Sequence, residues 1–267
     1  KYIARHVDSP RWREIRGEDA PGLLLVCNAG EEGLGNLKGV RKICEDYGGR
    51  IKSFCTFDSS LSSIVDRAVG SKRFRVKVRT RGGHSYNDFG NDNAIAGLAS
   101  LVGKLYKIQV PEGGKTTYNV GMISGGTSVN TIAQEAEMLY EFRSDKRENL
   151  EYMERQFMEV LDRAKAEGMD VSFQVIGVRP CEGQVDPAQK QALTDWAHRV
   201  VEEMTGQAPK HHAGSTDCNI PLSLGIPSVC VGSFRGAGAH TREEYVETDS
   251  LEEGYKVAFG MIFGRRD

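Results

Sequence analysis

The chain has 267 residues and a formal net charge of −2, with 39% hydrophobic and 27% charged residues. This is the make-up of a globular protein long enough to bury a substantial core, in one large domain or two smaller ones. A near-neutral balance without a long basic block argues against nucleic acid or an anionic membrane surface as a partner, and no apolar run reaches the length of a membrane span.

The sequence opens at Lys1, with neither Met nor a signal-peptide pattern, so we expect residues to be missing upstream. Residues 9–22 carry prolines and glycines and read as a loop. Residues 23–27 (Leu-Leu-Leu-Val-Cys) form a continuous apolar run, predicting a strand buried on both faces. A helix-like stretch follows to Tyr47, and residues 51–57 predict a second strand ending at Asp58. Strand, helix and strand in this order predict a doubly wound, mostly parallel α/β sheet with function at its C-terminal strand ends.

The pattern changes near residue 72. Residues 74–80 alternate apolar and basic, as a strand with one wet face does, and such a strand at a sheet edge invites pairing with a second copy. Residues 91–108 carry Ile95, Leu98, Leu101, Val102 and Leu105 at helical spacing. Two strands are predicted at 117–123 and 136–142, then a helix from Asn149, as N-cap, to Gly168 as its C′ glycine, and a strand at 171–178. This is the order of a ferredoxin-like α+β layer. After Pro180 a helix at 187–205, a strand at 228–231 and a helix at 250–263 restore the first pattern. We therefore expect a discontinuous domain of residues 1–71 plus 183–267, with residues 72–182 inserted as a second domain. Six cysteines (Cys27, Cys44, Cys55, Cys181, Cys218 and Cys230) without a CxxC pair are expected to be buried, reduced thiols of a cytoplasmic protein.

Glu31 and Glu32 follow the first predicted strand, where α/β active sites concentrate. Adjacent carboxylates point apart, so one can bind a metal while the other serves as a base; a solvated acidic turn is the plain alternative. Asp58 ends the neighbouring strand, with turn capping as its alternative. His240 lies in a flexible loop after the last strand, and carboxylates with an imidazole suit zinc; Glu244 could orient its ring. His84, after Gly82-Gly83, can donate a hydrogen bond to substrate, or be a turn residue. Residues 124–130 form a glycine turn ending in Asn130, and Arg143 ends a strand, where a guanidinium suits a substrate carboxylate. His6 and Asp8 read as a weak metal pair, whereas His198, His211 and His212 read as surface or helix-face residues.

Together Asn28-Ala-Gly-Glu-Glu-Gly33, Phe57-Asp58, Gly82-Gly-His-Ser85, Gly125-Gly-Thr-Ser-Val-Asn130, Phe142-Arg143, Gly214-Ser-Thr-Asp217 and Ala239-His-Thr-Arg-Glu-Glu-Tyr245 resemble, in order, the motifs of the M20 metallopeptidase family. The resemblance implies a metal-dependent hydrolase cleaving an amide or peptide bond in a small peptide or N-acyl amino acid, with an inserted lid and dimerisation domain that makes a homodimer. It implies two divalent metals, zinc above all, with cobalt or manganese as alternatives, bridged by the attacking water. By motif, Glu31 would be the general base, Glu32, Asp58 and His240 metal ligands, and His84 a donor to the oxyanion in a neighbouring protomer's site. Asn130 and Arg143 would hold the substrate's carboxylate end; Thr216-Asp217 has no clear role. The family's early His-x-Asp pair and bridging Asp find no counterpart, so we expect this chain to bind metal weakly and turn over little. The alternative is a non-catalytic relative serving as a dimerisation or binding module.

Overall fold

The structure, a computed structural model, describes residues 22–264 together with Pro10. They fold into two compact units. The first comprises the described residues through Glu31, Leu37–Ala68 and those from Gly183 on; the second comprises Glu32–Asn36 and Val69–Glu182. In chain order the strands are β1 (Phe54–Phe57), β2 (Ser63–Ala68), β3 (Gly70–Arg79), β4 (Gly83–His84), β5 (Thr116–Gly125), β6 (Thr131–Ile132), β7 (Glu135–Ser144), β8 (Asp170–Arg179), β9 (Lys210–Gly214), β10 (Ser228–Val231), β11 (Arg235–Ala237) and β12 (Tyr245–Glu247). The α-helices are α1 (Lys38–Tyr47), α2 (Ala94–Leu105), α3 (Arg147–Ala166), α4 (Pro187–Thr205), α5 (Asn219–Ser223) and α6 (Ser250–Phe263). Among the described residues no helix is long and apolar enough to cross a membrane.

The second unit is an antiparallel sheet in the order β5-β7-β3-β8, with α2 and α3 on one face. Its core follows from two periodicities. Ala94, Leu98, Leu101 and Leu105 line one stripe of α2, while Phe74, Val76 and Val78 of β3 and Met138, Tyr140 and Phe142 of β7 occupy alternate strand positions. Phe157 of α3 sits between them, its ring centroid 4.3 Å from Phe74, 5.5 Å from Tyr140 and 5.7 Å from Phe173. On the opposite face the basic residues of β3 meet carboxylates of β7. Arg73 Nε lies 3.1 Å from Glu141, and Lys77 Nζ and Arg79 Nε each 3.0 Å from Glu135. This corrects the expectation of an edge strand at 74–80: β3 is central, and its alternating basic residues answer an acidic alternation across the ladder. The edges of this sheet are β5 and β8. Asn149 does not cap α3 either; the helix begins at Arg147, and the Asn149 amide donates to Thr116 Oγ1 at 3.1 Å.

The first unit holds a mixed sheet in the order β1-β10-β2-β9, with β1/β10 and β2/β9 parallel and β10/β2 antiparallel. Ile64, Val229 and Val231 pack against α4 and α6 on one face; Val65, Ala68 and Cys230 pack against Cys218 and Leu222 on the other. Asp186 caps α4 through Gln189 N, and Gly206 ends it in the left-handed region. Residues 23–27 are the main departure. They form no strand, and Leu24 and Leu25 are 51% and 50% exposed. An apolar run becomes a buried strand only beside a ladder partner, and none of the described strands pairs with this one. Cys27 is accordingly exposed and Cys55 half-buried, while Cys44, Cys181, Cys218 and Cys230 are buried; all six are free.

Phe157→Ala should remove about 3–5 kcal/mol of stability, the cost of emptying a buried aromatic position. Urea unfolding followed by circular dichroism checks this; a loss below about 1 kcal/mol would contradict the packing described.

Candidate active site

The exits of β1 and β10 lie side by side. Leu61 N donates to Phe234 O at 2.8 Å and Ser233 N to Ser59 O at 3.1 Å, joined by a parallel bridge between Ser60 and Phe234. Asp58 stands at this exit with its side chain exposed, and its carbonyl accepts the Cys230 thiol at 2.8 Å. Burial pushes that thiol far up, and the negative charges of Asp58 and Glu31 add to the effect. Cys230 therefore stays protonated and is no nucleophile. The Cys230 thiol thus has both carboxylates in its electrostatic surroundings, Asp58 more strongly than Glu31.

Glu31 is carried by a loop that one side chain anchors from a distant part of the sequence. Asn28 Nδ2 donates to Asp217 Oδ2 at 2.7 Å. Asp217 is buried in the turn before α5, where Asn219 Oδ1 accepts Thr216 N at 2.9 Å and Thr216 Oγ1 accepts Cys218 N at 3.2 Å. The Gly214-Ser-Thr-Asp217 segment thus acquires a structural role that its sequence did not disclose. Gly30 has φ +78°, and a Cβ there would meet the Lys38 side chain at 2.5 Å. Beyond Glu31 the chain passes into the second unit, where Arg73 Nη1 donates to Gly33 O at 2.6 Å and Val178 N to Asn36 Oδ1 at 3.0 Å. The two adjacent carboxylates accordingly belong to different units, and Glu32 is exposed.

His240 occupies the turn between β11 and β12, exposed, with φ +65°. Glu244 reaches it, but through the backbone: His240 N donates to Glu244 Oε2 at 3.2 Å, so the expected orientation of the ring by Glu244 is not what is found. Arg235 ties this hairpin to α6 through a bidentate pair with Glu253 at 2.8 and 2.6 Å. Among the described residues no three His, Cys, Asp or Glu side chains converge as a metal-holding group. His6 and Asp8 lie outside the described residues.

In the second unit, Gly82 and Gly83 take φ +68° and +142°, where a Cβ would strike Gln134 and Asp88 respectively. They lead into β4, which pairs His84 with Thr131 of β6. The Tyr86 and Asn87 amides point at His84 Nδ1 from 3.3 and 3.4 Å, so the neutral ring carries its proton on Nε2. Ser85 N donates to Asn130 O at 3.0 Å, and Ser128 Oγ donates to Asn130 Oδ1 at 2.9 Å, leaving the Asn130 amide hydrogens to donate elsewhere. His84 and Asn130 thus share one exposed corner, each with a side-chain N–H that can donate. Arg143 lies elsewhere. The corner adjoins the Glu135 end of β7, whereas Arg143 pairs with Ser71 at the opposite end, about 26 Å away along an extended strand. There Arg143 Nε and Nη2 bind Glu141 at 2.9 and 3.2 Å. Burial would raise Glu141, but Arg143 and Arg73 outweigh it and hold the carboxyl below its ordinary range.

Comparison with known proteins gives a consistent picture. Residues 68–169 match the family of peptidase dimerisation domains of M20 type. The chain is 34% identical over 191 residues to a homologue of a p-aminobenzoyl-glutamate hydrolase component from Haemophilus influenzae, covering 64% of this chain and 42% of that protein. It is 24% identical over 247 residues to an acetylornithine deacetylase from Myxococcus xanthus, covering 89% and 63%. Among solved structures, an aminopeptidase from Bacillus cereus (TM-score 0.67, 23% identity) and a tripeptidase from Staphylococcus aureus (TM-score 0.68, 21% identity) share the fold. Each alignment covers 89% of this chain and 62% of the other. The chain thus spans 42% and 63% of the lengths of the two curated relatives.

Asp217→Ala should free Asn28 and speed amide exchange in residues 28–31 at least about tenfold, the equivalent of some 1.4 kcal/mol. Hydrogen-exchange mass spectrometry reads this directly; unchanged exchange in that peptide would show that Asp217 does not anchor the loop.

Proposed function

We propose that this chain belongs to the M20 family of peptidases and amidohydrolases and serves the hydrolysis of an amide bond in a small peptide or N-acyl amino acid bearing a carboxylate. The observation that carries this reading is the match of residues 68–169 to the peptidase dimerisation domain together with the similarity to two curated amide-bond hydrolases. The relative named for p-aminobenzoyl-glutamate supports a substrate whose amide adjoins a carboxylate.

In this reading Glu31 takes the proton of the attacking water and delivers it to the leaving nitrogen. His84, with its proton on Nε2, donates to the oxyanion that forms as the carbonyl becomes tetrahedral. The Asn130 amide supplies a second donor at the same corner. Arg143 binds the substrate carboxylate, for which it exchanges part of its pairing with Glu141. Enzymes of this family generally use divalent metals. Glu32, Asp58 and His240 are the donors we assign to them from this chain, with zinc favoured over cobalt or manganese by the imidazole and carboxylate chemistry.

A homodimer through residues 72–182 fits an exposed sheet edge. β5 ends its sheet with Met122 and Ile123 64% and 58% exposed, the features of an edge strand that a second copy can cover. Because β7 holds Arg143 far from His84 and Asn130, we assign Arg143 and the His84–Asn130 corner to two different active sites of the dimer. The six free cysteines support a cytoplasmic setting.

Assay of the full-length protein against dipeptides, tripeptides and N-acyl amino acids, aminobenzoyl-glutamate included, tests the reaction. Glu31→Gln, which keeps the side chain's shape, should lower kcat by about 10²–10⁴-fold with KM little changed. Full activity in that variant would remove Glu31 from its role; no hydrolysis of any amide by the unaltered protein would favour a non-catalytic dimerisation module.

A further inference from the structure

The parallel ladder between β2 and β9 contains an irregularity. Val65 pairs with His212 and Arg67 with Ala213, so Asp66 is an extra residue on β2. A bulge of this kind re-aims the side chain it carries. Asp66 Oδ2 lies 2.8 Å from His211 Nδ1, and His211 Nε2 lies 2.8 Å from Nδ1 of His198 on α4. The two imidazoles stack nearly parallel, with centroids 5.1 Å apart and planes 11° apart.

The hydrogen positions along this chain follow from donor and acceptor chemistry. An ionised carboxylate only accepts, so His211 carries its proton on Nδ1. The lone pair on its Nε2 is then filled by the Nδ1 proton of His198. Neutral His198 is left with a bare lone pair on Nε2. Glu202, one helical turn further along α4, has Oε2 3.8 Å from that nitrogen. Arg67, whose Nε is 3.5 Å from Asp66 Oδ1, is the cation beside the other end of the chain.

Metal–ligand geometry decides what these atoms can hold. Two donors bound to one zinc at about 2.0–2.1 Å in a tetrahedral shell are about 3.4 Å apart. The 2.8 Å between the rings is too short for that, so a proton and not a metal joins them. The 3.8 Å between His198 Nε2 and Glu202 Oε2 is close to the requirement, and the exposed Glu202 side chain can close the remaining few tenths of an ångström. A metal-binding histidine typically donates its other ring proton to an acceptor, which fixes its tautomer and orientation. His198 already does so, and its acceptor His211 is in turn held by Asp66. We propose that His198 and Glu202 form a surface site for one divalent transition-metal ion of the zinc type, oriented by His211 and Asp66 and completed by water. None of the candidate active-site residues belongs to it.

Isothermal titration of the protein with zinc chloride, in a buffer that does not chelate, tests this site. A one-to-one event should be lost in His198→Ala and weakened at least tenfold in Glu202→Gln, whose exposed position leaves the fold intact. Asp66→Ala should weaken it about 10–100-fold, the usual cost of removing an orienting partner. His240→Ala and Asp58→Asn should leave it in place, which separates this site from any metal held by the candidate active site. Zinc uptake unchanged in both His198→Ala and Glu202→Gln, or lost instead in His240→Ala, would overturn the proposal.

Discussion

The length of one strand governs how the functional side chains can be used. β7 runs unbroken over ten residues, hydrogen-bonded to β5 on one side and β3 on the other. A strand ladder of this kind neither bends back nor shortens. The corner holding His84 and Asn130 is therefore kept at one end of the sheet and Arg143 at the other. The packing of Phe74, Tyr140 and Phe157 under the ladder, and the carboxylate row of β7 facing the basic row of β3, make the separation rigid. A substrate no larger than a short peptide cannot touch both ends of one such sheet. In the function we propose, two copies resolve the conflict, since one end then serves each of two sites.

The loop bearing Glu31 is governed by a different constraint. Its first part is held by a buried carboxylate, Asp217, through Asn28, and its last part by Arg73 and the β8 backbone of the second unit. Glu31 and Glu32 are neighbours in sequence but have separate attachments. Glu31 is half-buried and Glu32 exposed, so the two adjacent carboxylates meet different surroundings.

Much of the fold was legible because periodicity is local. The apolar stripe of residues 91–108 and the alternation of residues 171–178 each gave an element of the expected type. What escaped depended on neighbours. The basic alternation of residues 74–80 reads as a wet face, and only the matching acidic alternation of Glu135, Glu137 and Glu141 reveals that the strand is central. β9 has no apolar pattern at all, because Lys210, His211 and His212 form an edge whose contacts are polar. Residues 23–27 have the composition of a core strand and stand exposed, since composition cannot supply a ladder partner. In the site, Asp58 was readable as a carboxylate following a strand, whereas the strand expected before Glu31 does not form. The division between His84–Asn130 and Arg143 follows only from strand register. The link between Asp217 and Asn28 spans the chain and has no local signal.

The central claim is that one copy's second unit divides its functional residues between two active sites, and complementation between inactive protomers tests it most directly. Full-length His84→Ala and Arg143→Ala variants would each be inactive alone, then mixed, dissociated and allowed to reassociate. A mixed dimer holds one site with both residues intact, so the mixture should recover about a quarter of unaltered activity when pairing is random. No recovery, with mixed dimers demonstrated by mass, would mean that one protomer supplies both residues to a single site and would contradict the account.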